Sequence, residues 1–179
     1  MRFVLELAYD GAGRCGWQRQ QDAPSIQGDL EAALSRLFGG AEILTVGAGR
    51  TDTGVHALRQ FCHFDAPRAL PANFVHRLNC LLPPEIAILA LHRPTTDPDF
   101  SARHNARSRR YRYQITGRKS PFLQRYACFC ARLDRLDLPA MEAATQALFR
   151  YTDFASFCKT GGANHTTICH ISEAQWAQE

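Results

Sequence analysis

The 179-residue sequence predicts an α+β fold, a ferredoxin-like βαββαβ unit followed by a second, incomplete unit of similar layout. Two observations carry this. Segments with period-two alternation lie between segments with helical spacing, and Gly or Pro punctuates nearly every junction. The unit boundary is placed in the proline-containing stretch His92 to Pro98, dividing the chain into residues 1–98 and 99–179.

Arg2 to Tyr9 places Phe3, Leu5, Leu7 and Tyr9 on one face, as a strand with one buried side does. Asp10 to Asp22 is a loop, in which Trp17 is either a hydrophobic plug or a stacking surface. Ser25 is placed to cap a helix bearing Ile26, Leu30, Ala33, Leu34 and Leu37, and Gly39-Gly40 ends it. Ile43 to Val46 and Arg59 to Asp65 are expected strands flanking a glycine-rich loop. Pro71 to Leu81 is expected as a second helix, closed by Pro83-Pro84, and Glu85 to Leu91 as a fourth strand. In the second unit, Arg109–Thr116 and Thr166–Trp176 alternate like strands, with a helix over Pro139–Phe149 between them.

Composition narrows the function classes. Hydrophobic residues at 45% and charged residues at 21% are ordinary for a soluble globular protein. Met1-Arg2-Phe3-Val4-Leu5-Glu6 puts an acid where a signal peptide needs apolar residues, and no run approaches membrane-spanning length. The seven cysteines are odd in number and lack a C-x-x-C pair, which suits reduced thiols in a cytoplasm.

The charge is unevenly spread. Ser101 to Leu133 contains nine Arg or Lys and no Asp or Glu, with Tyr111, Tyr113 and Tyr126 interleaved. Like charges so crowded repel one another, and a polyanion relieves the repulsion while aromatic rings offer stacking surfaces. The alternative is a solvated basic face with no partner.

The glycine-rich loop carries the chemistry. Within Gly47-Ala48-Gly49-Arg50-Thr51-Asp52-Thr53-Gly54-Val55-His56, one carboxylate sits two residues after a guanidinium and four before an imidazole. Enclosing Asp52 under a substrate would disfavour its charge, and a cation such as Arg50 would restore it. An ionised acid there suits a nucleophile or base better than a general acid. A turn with a surface ion pair is the competing reading. His56 is expected to support the loop backbone rather than carry protons. Cys158, His165, Cys169 and His170 suggest zinc, but their spacing matches no usual finger, and adjacent Cys169 and His170 would face opposite ways on a strand.

Gly49-Arg50-Thr51-Asp52-Thr53-Gly54-Val55-His56-Ala57 resembles the catalytic signature G-R-T-D-x-G-V-H-A of the TruA-type tRNA pseudouridine synthases. Further agreements follow in order: Tyr9-Asp10-Gly11 with Gly16-Trp17-Gln18, Ser25-Ile26-Gln27-Gly28, Leu78-Asn79, Phe100-Ser101-Ala102-Arg103 and Arg110-Tyr111-Arg112-Tyr113. The resemblance implies the pseudouridine synthase fold and isomerisation of tRNA uridines in the anticodon stem-loop, without cofactor or metal. It assigns Asp52 as the catalytic nucleophile or base and Arg50 as its companion. Tyr111 would pack on the uracil, and Arg110 and Arg112 would contact substrate. It further implies a cytoplasmic homodimer that binds tRNA and no membrane. Family members continue with another strand and helix containing a basic Phe-x-x-x-Met-Val-Arg-like segment, so the chain is expected to be part of a longer protein. The rival from another class is a non-catalytic RNA-binding module of the same fold.

Overall fold

The computed structural model describes residues 1–94, 97, 99–158 and 166–178. The chain forms two compact units, Met1–Arg112 and Tyr113–Glu179.

In the first unit, β1 (Arg2–Tyr9), α1 (Ile26–Leu37), β2 (Thr45–Gly47), β3 (Ala57–Asp65), α2 (Phe74–Leu81) and β4 (Ile86–His92) follow one another along the chain. The four strands form one antiparallel sheet in the order β2-β3-β1-β4. Strand β1 is interior because one of its faces is apolar throughout: Phe3, Leu5, Leu7 and Tyr9 all enter the core. Opposite them, in register, stand Phe64 across from Phe3 and Cys62 across from Leu5. Phe64 stacks on Phe74 of α2 with ring centroids 5.9 Å apart, which joins the sheet to the helix.

Helix α1 begins where Ser25, in extended conformation, accepts the Gly28 N–H on its side chain. It ends where Gly39 and Gly40 turn to φ +74° and +93°, and the Gly40 N–H reaches back to Ser35 O at 2.8 Å. Its apolar stripe includes Ile26, Leu30 and Leu34, all completely buried. Helix α2 starts later than its sequence pattern suggests, at Phe74, because Asn73 takes a left-handed φ of 54° and breaks the first turn. The Asn79 amide then binds α2 to β4, accepting the Ile88 N–H at 2.7 Å and donating to Ile88 O at 3.0 Å. Trp17, 1% exposed, is a core plug and not a stacking surface.

The second unit contains a short parallel pair, β5 (Ile115–Thr116) and β6 (Cys128–Phe129), and helix α3 (Leu138–Leu148). Asp137 caps α3 by accepting the Ala140 N–H at 3.0 Å. Two expected strands are not formed. Of Arg109–Thr116 only Ile115 and Thr116 are extended in a ladder, and Thr166–Trp176 supplies a single bridge, from Ile168 to Asp153. Alternation makes a strand only where a neighbour takes its hydrogen bonds and a layer covers one face. Here Tyr113 and Ile168 are exposed, and among the described residues no apolar layer covers them.

Candidate active site

The loop from Ala48 to His56 joins β2 to β3, and the rest of the first unit holds it at several points. At its entry, Ala48 N–H donates to Phe61 O at 2.8 Å and Gly49 O accepts from Gln60 Nε2 at 3.1 Å. At its centre, Thr51 O accepts the Trp17 N–H at 3.0 Å, and Thr51 Oγ1 lies 2.9 Å from the Tyr9 hydroxyl. At its exit, the Val55 N–H closes a turn onto Asp52 O at 3.2 Å, and the Gly54 N–H reaches Arg14 O at 3.3 Å. Burial, opposed by its bonds to Thr51 and Gln60, raises the Tyr9 phenol above its ordinary value.

The imidazole of His56 packs against the end of β1. Its Nδ1 lies 2.8 Å from Asp10 Oδ1 and 3.2 Å from the Gly11 N–H. The nitrogen serves one partner or the other according to where the ring hydrogen sits. Asp10 is itself set by the Ala12 N–H, which donates to Oδ1 at 2.8 Å. This agrees with a supporting role for His56.

Close approach explains the glycines on the opposing chain. A Cβ on Gly11 would stand 2.1 Å from Val55 O, and one on Gly16 would stand 2.3 Å from Thr51 O. Both obstacles are backbone atoms, so the loop lies where only glycine allows it.

Between these anchors, Arg50 and Asp52 are exposed. Among the described residues, neither has a side-chain hydrogen bond or ion pair. The expected Arg50–Asp52 pair is therefore not made. An exposed pair gains only about 0–1 kcal/mol, too little to order two solvated side chains. Asp52 is nonetheless free of any structural contact that would occupy its oxygens, and its backbone is tied down on both sides. The carboxylate is thus exposed on a loop whose backbone is fixed.

The Arg-Tyr segment approaches the same loop. Arg109 donates from Nη2 to Ala48 O at 2.5 Å. Tyr111 is 63% exposed. Arg110 and Arg112 are exposed. Tyr9, Asp10, Gln60 and Arg109 support the site without being foreseeable from spacing. The triplet Tyr9-Asp10-Gly11 is part of the sequence resemblance, but nothing in its pattern tells which later residues it meets.

Among the described residues, no three His, Cys, Asp or Glu side chains are grouped to hold a metal ion, and none of the helices is long and apolar enough to cross a membrane. His165, one of the four residues in the zinc reading, lies outside the described residues.

No family model matches the chain. Among curated proteins, it is similar to tRNA pseudouridine synthase A of Bacteroides thetaiotaomicron, at 40% identity over 178 residues, covering 99% of this chain and 64% of the relative. It is likewise 40% identical to tRNA pseudouridine synthase A of Porphyromonas gingivalis, over 98% of this chain and 69% of the relative. With the protein of the same name from Bacteroides fragilis the identity is 41%, over 99% and 69% respectively. The chain spans about two thirds of the length of these relatives.

Proposed function

The chain belongs to the tRNA pseudouridine synthase A family, and from that premise we propose that it isomerises uridine to pseudouridine in tRNA, with Asp52 as nucleophile or base. The supporting observation is the state of that carboxylate, exposed and uncommitted in a loop anchored before and after it. The first unit carries the catalytic loop, and the strand order β2-β3-β1-β4 with both helices as crossovers supports a ferredoxin-like reading of it.

The reaction breaks the bond between uracil nitrogen and the ribose anomeric carbon and joins that carbon to C5 of the same ring. The C5 proton is lost and the freed nitrogen gains one, so no electrons or atoms are exchanged with another molecule. Asp52 acts on either the ribose carbon or the uracil ring. The reacting bond lies within stacked RNA, so the base is first turned outward, at a cost of a few kcal/mol. Tyr111 packs on the extruded uracil, Arg50 holds the displaced backbone, and Arg110 and Arg112 contact phosphates. Because Asp52 is open to solvent, the RNA itself closes the site and removes water from the carboxylate. The substrate region is the anticodon stem-loop, and the working form is a cytoplasmic homodimer.

The test is Asp52→Asn in the intact protein, an isosteric change that removes the charge. Pseudouridine formation is expected to disappear while tRNA affinity is kept. Undiminished turnover in that variant would remove Asp52 from the chemistry, and tRNA binding with no turnover in the unmodified protein would leave an RNA-binding module.

A further inference from the structure

We propose that Arg109 is a positioning residue for the Asp52 loop and not one of the phosphate contacts of the basic segment. The inference rests on the assignment of Asp52 above. Arg109 belongs by sequence to the run of arginines that reads as a polyanion surface, and it is exposed as its neighbours are. Its guanidinium is engaged with the loop entry. Nη2 donates to Ala48 O at 2.5 Å, four residues before Asp52.

The neighbouring residue confirms how closely the group is seated. A Cβ on Gly49 would stand 2.9 Å from Arg109 Nε and 3.6 Å from its Cδ. Gly49 is thus the space into which the arginine lies, and its own carbonyl is taken by Gln60 at 3.1 Å. With Ala48 N–H on Phe61 O, the peptide groups at the loop entry are held by β3 on one side and by Arg109 on the other. The same arginine lies two residues before Tyr111. One guanidinium therefore holds the entry of the loop bearing the acid.

A phosphate contact and a positioning contact differ in what they change. Losing a phosphate contact weakens tRNA binding and flattens its dependence on salt by about 0.7–0.9 log unit. Losing a positioning contact leaves binding and lowers the rate of the bound complex, since a misplacement of ~1 Å can cost up to about a hundredfold.

The experiment compares Arg109→Ala, Gly49→Ala and the double variant in the intact protein. It measures tRNA affinity across a salt series and the single-turnover rate of pseudouridine formation at saturating enzyme. Arg109→Ala is expected to slow the saturated rate by about tenfold or more, with affinity and salt slope unchanged. Gly49→Ala should slow it similarly, because the added methyl displaces the guanidinium from Ala48 O. The double variant should be no slower than either single one, as both remove the same contact. Circular dichroism and the unchanged affinity together report that each variant is folded. A flatter salt slope in Arg109→Ala, with or without a slower rate, overturns the proposal, as does an unchanged saturated rate. Losses that multiply in the double variant also overturn it. Failure of the underlying assignment is seen separately, as turnover retained by Asp52→Asn.

Discussion

The hydroxyl of Tyr9 and the hydroxyl of Thr51 lie 2.9 Å apart, tying the last residue of the interior strand to the residue before Asp52. Tyr9 is 4% exposed, so its ring is fixed by the core and its oxygen is a rigid point of attachment. Core packing is thereby transmitted to the loop that carries Asp52, alongside the bond from the Trp17 N–H to Thr51 O.

Tyr9→Phe keeps the ring and removes that bond. Unfolding free energy is expected to fall by about 0.5–1.5 kcal/mol, as for one intramolecular hydrogen bond. The rate of pseudouridine formation should fall with tRNA affinity unchanged. Urea unfolding and single-turnover assays measure the two effects, and an unaltered rate would show that the loop holds its place without Tyr9.

Glu31 is the hub that aligns β2 with α1. Its buried carboxylate accepts the Thr45 N–H at 2.8 Å, the Thr45 hydroxyl at 3.1 Å and Gln27 Nε2 at 3.0 Å, and Arg19 binds its other oxygen at 3.0 Å. Glu31→Ala leaves the buried Thr45 amide without that acceptor, which costs about 1–3 kcal/mol for such a group. A lower urea midpoint with an unchanged slope is the expected result. Glu31→Gln keeps an acceptor oxygen and should cost less.

His63 confers a dependence of stability on pH. Its Nδ1 accepts the Ala102 N–H at 3.0 Å, a bond that requires this nitrogen to be unprotonated. Burial lowers its proton affinity below the ordinary value of 6.5, with the Arg2 guanidinium acting in the same sense and Asp65 opposing. The unfolded chain therefore takes up a proton at a pH where the folded one does not. Stability is complete above about pH 6.5 and declines as the pH falls from there towards the lowered native value. Asp65, held by its bond to Arg2 below its ordinary 3.8, loses its contribution only in stronger acid. His63→Asn retains an acceptor and does not titrate, so its denaturation midpoint should change less between about pH 7 and pH 5. An equal change in both proteins would place the effect elsewhere.

Much of the first unit is written in local pattern. The alternation of Phe3, Leu5, Leu7 and Tyr9, the Ser25 cap and the stripe of α1 each encode an element from a short stretch of chain, because burial and capping act over a few residues. The failed strands of the second unit mark the limit of that rule. Tyr111, Tyr113 and Ile115 alternate as well as β1 does, yet most of the segment stays irregular, since strand hydrogen bonds must come from another part of the chain.

By itself, the sequence determined the residues of the candidate site, a single acid in a glycine-rich loop beside an arginine, with a basic aromatic segment later in the chain. It also determined the order of helices and strands in the first unit. Only the tertiary structure decided which groups meet: Tyr9 with Thr51, His56 with Asp10, Arg109 with Ala48, and Asp52 with neither Arg50 nor any other side chain among the described residues. Periodicity records which face of an element is buried, whereas a hydrogen bond between distant residues depends on the path of the backbone. Many arginines in the segment are chemically equivalent until that path places one of them against a loop carbonyl.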